Sequence, residues 1–410
     1  MGVLNLNAGG NRVFVVAAVL LGLLAVGLVE GQSAAGINIS VGLCGTLVQP
    51  WGYPCNEYTV QTQDGFLLAV QNIPYGISKP LNGAPRPPVF LQHGIFAGGD
   101  NWVFNGPSES LGFILADAGY DVWIGNFRAS IWSHGHINLT TADAAYWNWS
   151  WDELAAYDLP AMIGFVYNHT GSKVMYIGHS QGTAMLMAGL VGTAQSQAVT
   201  NMLAGVVLIC PIAYMNNISS TFDKTAADLY VDTILNVFGI NEFSLYNPLG
   251  ATLVQDVCGT AGVNCTSLYR AVTGNDCCIN DTRLPFYLNF FPQPTSSKNL
   301  GHFAQMIRTN TFRKFDYGVI GNLENYGRFT PPAYNLSSFP PSLPLMIVQG
   351  GQDSLADPTN VQALLTLLGT KVTTLFYIER YAHGDFIVST TANVDVYPSI
   401  MGFVQNHHSI

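Results

Sequence analysis

The pentapeptide Gly-His-Ser-Gln-Gly at residues 178–182 places Ser180 between two glycines, which allow neighbouring backbone to approach closely. It follows an apolar, β-branched stretch that ends at Ile177, and it precedes a run of small residues that begins at Thr183. In a tight turn from strand to helix, such a serine takes a strained backbone conformation and exposes its hydroxyl oxygen. A glycine-rich structural turn is the alternative, but the flanking strand and helix patterns favour a nucleophile. We therefore predict that Ser180 is a catalytic nucleophile.

A serine becomes an effective nucleophile when a histidine removes its proton and a carboxylate orients that histidine. Chains with this type of turn carry first the acid and then the histidine downstream of the serine. Here Asp353 follows a predicted strand at residues 345–348, and His383 follows another at residues 375–378. An α/β sheet gathers its active groups just beyond the carboxyl ends of its strands. The order and the positions predict Asp353 as the orienting acid and His383 as the general base.

Other carboxylates and histidines fit these two roles less well. Asp357 lies one helical turn beyond Asp353 and is expected to cap the next helix. Asp385 follows the histidine closely and is expected to make a local hydrogen bond. The remaining histidines considered lie beside the nucleophile, after an early strand, in the irregular middle of the chain or at the frayed C-terminus, and we expect them to be structural: His179, His93, His302, His407 and His408.

The oxyanion that forms during attack on a carbonyl group needs two preorganised backbone N–H donors. One donor is expected directly after the nucleophile, at Gln181. The other is expected in the loop after an early strand at residues 89–91, where His93 and Gly94 precede Ile95. We therefore predict that the backbone N–H groups of Ile95 and Gln181 form the oxyanion hole.

The elements that must position these residues alternate between short apolar strands and helix-like segments. That alternation is typical of an α/β fold with a mainly parallel central sheet. After a hairpin at residues 58–70 that turns at Asp64-Gly65, the predicted strands span residues 89–91, 121–124, 174–177, 205–209, 345–348 and 375–378, and the predicted helices span 111–118, 152–167, 183–191 and 361–368. The alternation breaks between about Pro211 and Pro340. We therefore predict a core at residues 36–211 and 340–410 that carries an insertion at residues 212–339.

The composition limits the classes of protein to which the chain can belong. Of its 410 residues, 49 % are hydrophobic and only 10 % are charged, and the net charge is −10. This acidic balance, without any run of Lys or Arg, argues against nucleic acid as a partner. The low charge favours either a membrane protein or a surface made polar by other groups. Because only residues 13–29 form a long apolar stretch, a protein with several membrane spans is excluded.

Residues 1–31 have the pattern of a secretory signal peptide, since Arg12 precedes the apolar stretch and small residues follow it. We expect cleavage between residues 31 and 35 and no stable transmembrane span afterwards; an uncleaved signal anchor is the alternative. Glycosylation acceptors of the type Asn-x-Ser/Thr agree with this route: Asn38, Asn138, Asn148, Asn168, Asn217, Asn264, Asn280 and Asn335. Asn148 lies among tryptophans that are expected to be buried, so the other acceptors are the candidates for glycosylation.

The seven cysteines also fit an oxidising compartment. Cys44 and Cys55 flank a Pro/Gly turn and could close a short loop. A later cluster lacks both the spacing of a metal site and a nearby histidine, so disulfides are favoured there: Cys258, Cys265, Cys277 and Cys278. The adjacent Cys277 and Cys278 are expected to bond outward, which leaves two connectivities open. Cys210 ends an apolar run and is expected to be a buried free thiol.

Several further motifs accompany the serine pentapeptide: Gly-Tyr-Pro-Cys at 52–55, Leu-Gln-His-Gly at 91–94, Trp-Ser-Trp-Asp-Glu-Leu at 149–154, Tyr-Asp-Leu-Pro-Ala at 157–161, Gly350-Gly351 through Asp353, and His383 with Asp385-Phe386. With these motifs, the sequence from about residue 44 to the C-terminus resembles the acid (gastric/lysosomal-type) lipase family of the α/β-hydrolase superfamily, and its plant triacylglycerol-lipase branch in particular. The resemblance rests on the whole set of motifs. It implies an α/β-hydrolase fold, with the family's nucleophile, acid and base at Ser180, Asp353 and His383. It also implies oxyanion donors at Ile95 and Gln181.

The resemblance further implies that the insertion is a cap and lid that shields the site and contacts lipid. Two positions depart from the family. Ala129 stands where the family usually has glycine, and Asn360 stands where relatives often carry aspartate.

Together these features predict an ester hydrolase that acts on acylglycerols at a lipid–water interface through an acyl-enzyme, with no metal or organic cofactor. Secretion from the cell is expected, and a vacuole or lysosome-like compartment is the alternative. The sequence does not predict the oligomeric state. Hydrolysis of sterol esters or of general carboxylic esters is the alternative activity. A non-catalytic lipid-binding glycoprotein on the same fold is the alternative from another class.

Overall fold

The centre of the molecule is an eight-stranded sheet. The computed structural model describes residues 41–78, 86–133, 135–230, 235, 239–244 and 265–408. The strands are β1 (Asn56–Gln61), β2 (Leu67–Ile73), β3 (Pro88–Gln92), β4 (Asp121–Gly125), β5 (Val174–His179), β6 (Leu203–Ile209), β7 (Glu242–Phe243), β8 (Thr295–Ser296), β9 (Leu345–Gly350) and β10 (Thr374–Ile378). The large sheet has the order β1-β2-β4-β3-β5-β6-β9-β10, and β7 and β8 form a separate pair.

The sheet is parallel from β4 through to β10, whereas β2 pairs antiparallel with both β1 and β4. Strands β3, β5 and β9 are buried along their whole length. Strands covered on both faces carry continuous apolar runs, which is why the sequence pattern located them. The predicted α/β fold with a mainly parallel sheet is confirmed, and so is the hairpin that turns at Asp64-Gly65.

The described helices include every helix that the sequence pattern predicted. They are α1 (Leu111–Asp117), α2 (Trp151–Glu153), α3 (Leu159–Thr170), α4 (Gln181–Val191), α5 (Ser196–Met202), α6 (Thr221–Asp228), α7 (Cys265–Thr273), α8 (Leu284–Tyr287), α9 (Ser297–Thr309), α10 (Gly318–Tyr326), α11 (Pro358–Leu368), α12 (Asp385–Val388), α13 (Ala392–Asp395) and α14 (Tyr397–His407). The helix predicted at 152–167 is irregular, because residues Leu154–Asp158 between α2 and α3 form a π-helical turn. Pro160 has no N–H for an intrahelical bond, which favours a widened turn at this point.

Strands β6 and β9 are neighbours in the sheet, with Val206 paired to Leu345, although a long stretch of chain separates them. Where the structure describes that stretch, it adds no strand to the large sheet and instead forms α6 to α10 and the β7–β8 pair. The strand–helix alternation resumes at β9. The irregular middle of the sequence is therefore carried on the sheet.

The predicted signal peptide at residues 1–31, and its cleavage region at 31–35, lie outside the described residues. Across the ranges given above, we find no helix with the length and apolar character needed to cross a bilayer.

One of the cysteine predictions is wrong. Cys44 and Cys55 form the predicted disulfide, and Cys210 is buried and free. Cys277 and Cys278, however, are bonded to each other and do not bond outward. Both of their backbone N–H groups donate to the carboxylate of Asp385, which holds the two adjacent residues together in one turn. The other partners that we considered are Cys258, which lies outside the described residues, and Cys265, which begins α7.

Most of the glycosylation candidates lie at the surface. Asn280 is partly exposed. Four others are exposed: Asn138, Asn168, Asn217 and Asn335. Asn148 is also exposed, although Trp147 and Trp149 on either side of it are buried. The expectation that it shares their burial is wrong, because adjacent side chains here point in different directions. Asn38 and Asn264 lie outside the described residues.

Candidate active site

Ser180 lies at the turn between β5 and α4. Its φ and ψ angles are 53° and −119°, a positive-φ conformation that costs about 1–3 kcal/mol for a residue other than glycine. Its backbone N–H donates to the carbonyl oxygen of Ile209 at 3.0 Å, which ties the turn to β6. A Cβ atom at Gly182 would lie 2.9 Å from the carbonyl oxygens of Gln92 and His93. Glycine at 182 therefore lets α4 begin this close to the loop after β3.

Asp353 and His383 form a buried pair. His383 Nδ1 lies 2.9 Å from Asp353 Oδ2 and 3.1 Å from Oδ1. Asp353 Oδ1 also accepts hydrogen bonds from the backbone N–H groups of Leu355 and Ala356, at 2.9 and 2.8 Å. Burial raises the pKa of Asp353, but attraction to His383 and these hydrogen bonds outweigh burial, so the net pKa lies below its ordinary value. An ionised Asp353 can hold the proton on His383 Nδ1.

Ser180 and His383 border the same cavity. Most of its wall is apolar and comes from the stretch between β6 and β9, for example Val272, Leu284, Leu288, Phe291, Phe303 and Ile307. Apolar walls around a few polar groups are typical of pockets that bind apolar ligands and exclude water. The cavity therefore suits an acyl chain whose reacting group lies next to Ser180.

The loop after β3 passes directly over the nucleophile. A Cβ atom at Gly94 would lie 2.9 Å from Ser180 Cβ and 3.3 Å from its Oγ, so only glycine permits this approach. Ile95 follows in the same loop and borders the cavity. Gln181 is the first residue of α4, where backbone N–H groups have no partner within the helix. Both predicted oxyanion donors thus belong to segments that meet at Ser180.

The two carboxylates considered as alternatives to Asp353 accept hydrogen bonds from backbone N–H groups. Asp357 is the N-cap of α11 and accepts from the backbone N–H of Thr359 at 2.8 Å. Asp385 accepts from backbone N–H groups, including that of Ala382 at 2.8 Å. Both therefore make the local bond that the sequence predicted, and Asp385 also accepts from the distant backbone N–H groups of Cys277 and Cys278.

The rival histidines hold together parts of the backbone. His93 Nδ1 bonds the carbonyl oxygen of Gly94 at 2.8 Å, and its Nε2 accepts from the N–H of Phe127 at 3.2 Å. Burial lowers the pKa of His93 to about 4, so the ring is neutral. Two other histidines bond carbonyl oxygens. His302 Nε2 lies 2.8 Å from the carbonyl oxygen of Arg313, and His408 Nε2 lies 3.1 Å from that of Pro88. His407 ends α14.

His179 has more than the packing role that its position predicted. Its Nε2 lies 3.1 Å from the carbonyl oxygen of His383. Burial, followed by repulsion from His383, lowers the pKa of His179 to about 3. A neutral His179 that donates from Nε2 therefore supports the backbone of the proposed base.

Two amide residues of the inserted stretch bond to the site loops, and the sequence did not predict them. The backbone N–H of Gln293 donates to the carbonyl oxygen of Phe96 at 2.7 Å, and its side chain donates to Asp100 at 2.7 Å. Asn299 Nδ2 donates to the side-chain oxygen of Gln181, also at 2.7 Å. Nothing in the sequence marks these two residues, because a single Gln or Asn belongs to no motif.

Comparisons with known proteins agree on one family. The family model described as the alpha/beta hydrolase fold matches residues 87–388, and that of a partial alpha/beta-hydrolase lipase region matches residues 44–106. Triacylglycerol lipase 1 of Arabidopsis thaliana is 39 % identical over 361 residues, which cover 88 % of this chain and 90 % of the relative. The gastric triacylglycerol lipase of Homo sapiens is 36 % identical over 384 residues, 91 % of this chain and 92 % of the relative.

The chain belongs to the acid lipase family. Its fold is also that of more distant solved structures in the α/β-hydrolase superfamily. A soluble variant of monoglyceride lipase from Saccharomyces cerevisiae matches with a TM-score of 0.52 at 14 % identity, over 86 % of this chain and 95 % of that one. As a member of the acid lipase family, the protein is a carboxylic ester hydrolase.

The two departures from the acid lipase family have visible consequences. Ala129 has a φ of 64°, a conformation that favours the glycine usual at this position in the family. Asn360 is buried, and its Oδ1 accepts from Asn217 Nδ2 at 3.1 Å. Neither residue borders the cavity next to Ser180.

Proposed function

We propose that this protein hydrolyses the ester bonds of acylglycerols, with Ser180 as nucleophile, His383 as general base and Asp353 as orienting acid. The observation that carries the proposal is the apolar cavity that Ser180 and His383 share, with Asp353 2.9 Å from His383 Nδ1. Relatives named as triacylglycerol lipases in a plant and in mammals support the choice of substrate.

In the proposed mechanism, His383 takes the proton of the Ser180 hydroxyl as its oxygen attacks the ester carbonyl carbon. The resulting oxyanion is stabilised by the backbone N–H groups of Ile95 and Gln181. His383 then gives its proton to the leaving alcohol, which leaves an acyl-serine. A water molecule, deprotonated by His383, attacks the carbonyl carbon of the acyl-serine, and His383 returns that proton to Ser180 Oγ as the bond between this oxygen and the acyl group breaks and the fatty acid leaves. These steps need no metal or organic cofactor.

The charge distribution of the site supports this assignment. The pKa of Asp353 lies below its ordinary value, so Asp353 stays ionised beside the imidazolium that forms in each step. A buried negative charge close to a developing positive charge stabilises the transition state more than the same charge in water does.

We also propose a division of labour along the chain. Residues 36–211 and 340–410 form the hydrolase core, and residues 212–339 form a cap and lid that meets a lipid surface. Residues 1–31 direct the chain into the secretory pathway and are then removed. Exposed acceptors such as Asn138, Asn168 and Asn335 support glycosylation on that route.

A fluorophosphonate probe together with a substrate panel tests the activity. We expect the purified protein to be labelled on Ser180 and to hydrolyse long-chain triacylglycerol. Ser180→Ala should lose the label, and its kcat should fall by about 10³-fold or more. Labelling without long-chain triacylglycerol hydrolysis would favour the sterol-ester or general carboxylesterase alternative. A folded protein that takes no label would favour the lipid-binding glycoprotein.

A further inference from the structure

Residues 273–278 of the inserted stretch run from the end of α7 to the bonded cysteines, and we name them the clamp segment. They contact both loops that carry the proposed acid and base. The sequence predicted no contact between the clamp segment and these loops, and the mechanism proposed above assigns no role to the clamp segment.

The first set of contacts is to the loop that carries Asp353. Gly274 pairs with Asp353 as an isolated antiparallel bridge, and the carbonyl oxygen of Thr273 accepts from the N–H of Ser354 at 3.2 Å. Gly274 has a φ of 109°, and a Cβ atom there would lie 2.0 Å from the carbonyl oxygen of Gln352. The clamp segment therefore lies against the backbone of the acid loop more closely than any side chain at 274 would permit.

The second set of contacts is to the loop that carries His383. The same carbonyl oxygen of Thr273 accepts from the N–H of His383 at 3.1 Å. Asp276 Oδ1 accepts from the next N–H, that of Gly384, at 3.2 Å. Asp276 Oδ2 accepts from the Thr273 hydroxyl. One carbonyl and one carboxylate thus receive two consecutive N–H groups of the base loop.

A further contact runs the other way. Asp385 Oδ2 accepts from the N–H of Cys277 at 3.1 Å, and its Oδ1 accepts from that of Cys278 at 3.2 Å. Asp385 also binds the N–H of Ala382 in its own loop at 2.8 Å. The clamp segment and the base loop therefore each supply a carboxylate that binds the backbone of the other.

Asp276 is a buried carboxyl group, and burial of such a group requires hydrogen bonds to both of its oxygens. It is 2 % exposed, and burial, followed by repulsion from Asp385, raises its pKa to about 7. A buried carboxyl without a counter-charge lowers stability unless hydrogen bonds compensate. The hydrogen bonds that compensate for the burial of the Asp276 side chain come from the Thr273 hydroxyl and from the Gly384 N–H beside His383.

We propose that the clamp segment is a positioning part of the active site, in which Asp276 keeps His383 in register with Asp353 by binding the backbone of the base loop. The inference rests on the proposed function, since it assumes that His383 is the base. We expect the effect on the rate to come from the position of His383, because a displacement of about 1 Å in a catalytic group can lower a rate by about 10²-fold. Asp276 itself touches no reacting atom.

Four variants of the full secreted chain test this role. Asp276→Ala removes the acceptor for Gly384, whereas Asp276→Asn keeps an oxygen that can accept from it. Thr273→Val removes only the hydroxyl that fixes Asp276. Asp121→Ala is the control. Like Asp276, Asp121 is a carboxyl with a raised pKa that accepts two hydrogen bonds, here from the side chains of Asn72 and Trp123, but it is only partly buried and begins β4 at the opposite end of the strands.

Each variant is assayed with p-nitrophenyl butyrate for kcat and KM at the pH at which the wild-type protein is most active, for its unfolding temperature and for the rate of Ser180 labelling. We expect Asp276→Ala to lower kcat and the labelling rate by about tenfold or more, with KM within about twofold. Asp276→Asn should recover most of kcat, and Thr273→Val should fall between them. Asp121→Ala should lose stability but keep kcat within about twofold.

A folded Asp276→Ala protein whose kcat stays within about twofold of wild type would overturn the proposal. So would an equal loss of kcat in Asp121→Ala, because stability alone would then explain the effect. If Asp276→Ala does not fold, Thr273→Val decides: an unchanged kcat contradicts the positioning role, and a lowered kcat with unchanged KM supports it. Absence of Ser180 labelling in wild type is a separate result, which would contradict the proposed function itself.

Discussion

At the scale of single residues, the backbone around the nucleophile limits which side chains fit at each position. Ser180 adopts a positive φ because the turn from β5 to α4 leaves no relaxed alternative. Gly94 and Gly182 lie where a Cβ atom would be only 2.9 Å from a neighbouring atom. Ala129 shows the reverse case, a side chain retained at a φ of 64°. The glycines next to the nucleophile thus have steric reasons that their motif alone does not reveal.

Gly94→Ala tests this steric reason. The added methyl would meet Ser180 Cβ at 2.9 Å, so either the serine or the loop that carries Ile95 must move. We expect kcat for a soluble ester to fall by about tenfold or more. Gly164→Ala in α3 is the control, because a Cβ atom there meets nothing within 4 Å. Its activity should be unchanged, and its free energy of unfolding should rise by about 0.5–1 kcal/mol. Equal activity in the two variants would contradict the steric reason.

At the scale of elements, one buried arginine joins three segments near the widened helical turn. Arg128, in the loop after β4, bonds Asp158 at the end of the π-helical turn through Nε at 2.8 Å. It bonds Asp64 in the β1–β2 hairpin turn through Nη1 at 2.7 Å. Its guanidinium also lies over the ring of Phe66, 4.0 Å from the centroid. The hairpin, the loop after β4 and the helix that contains Pro160 are therefore fixed to one another by a single side chain.

Arg128→Met tests that connection. The substitution leaves two carboxylates, one of them fully buried, without their counter-charge, so we expect the free energy of unfolding to fall by about 3–5 kcal/mol. Arg380→Met is the matched control, because its ion pair with Asp395 lies at the surface with the arginine side chain 54 % exposed. Breaking that pair should cost about 1 kcal/mol or less. Urea unfolding followed by tryptophan fluorescence measures both, and equal losses would contradict the special role of Arg128.

At the scale of the whole molecule, buried carboxyl groups and buried histidines have opposite effects on how the free energy of unfolding changes with pH. Burial is the first cause that raises the pKa of Asp100, Asp152 and Asp276, each to about 7. Burial also lowers the pKa of His93 to about 4 and that of two other histidines to about 3: His179 and His302. Between about pH 4 and 6.5 the carboxyls favour folding at low pH and the histidines favour it at high pH. We therefore expect these groups to cancel largely in the wild-type protein.

Asp100→Asn separates the two contributions. The unfolded carboxyl loses its proton near about pH 4, whereas the folded one keeps it until about 7, so Asp100 stabilises the fold at low pH and loses that contribution as pH rises. Relative to wild type, the free energy of unfolding of the variant should therefore increase as pH rises from about 4 to 7. His302→Gln should show the opposite slope, gaining relative stability as pH falls. Urea unfolding of all three proteins across this range measures the differences, and two parallel wild-type and Asp100→Asn curves would refute the carboxyl contribution.

The order of elements and the proposed nucleophile, acid and base could be read from the sequence because each depends on a local pattern. Buried parallel strands carry continuous apolar runs, and the serine turn carries its glycines within five residues. Asp353 and His383 could be chosen because groups beyond strand ends gather at one edge of a sheet. The exposure of Asn148 between two buried tryptophans could not, since it depends on how the chain turns there.

Tertiary structure alone decided how the inserted stretch meets the site. The contacts of Asp276, Gln293 and Asn299 with the site loops join residues that are far apart in the chain and belong to no repeated spacing. Cys277 and Cys278 are adjacent, but both of their backbone N–H groups bind the distant Asp385, and no local pattern predicts the bond between them. Periodicity reports which face of a strand or helix is buried, but not which distant backbone group a single polar side chain will bind. Such a bond is specified by the packed fold, because a buried donor or acceptor must find a partner wherever the chain brings one.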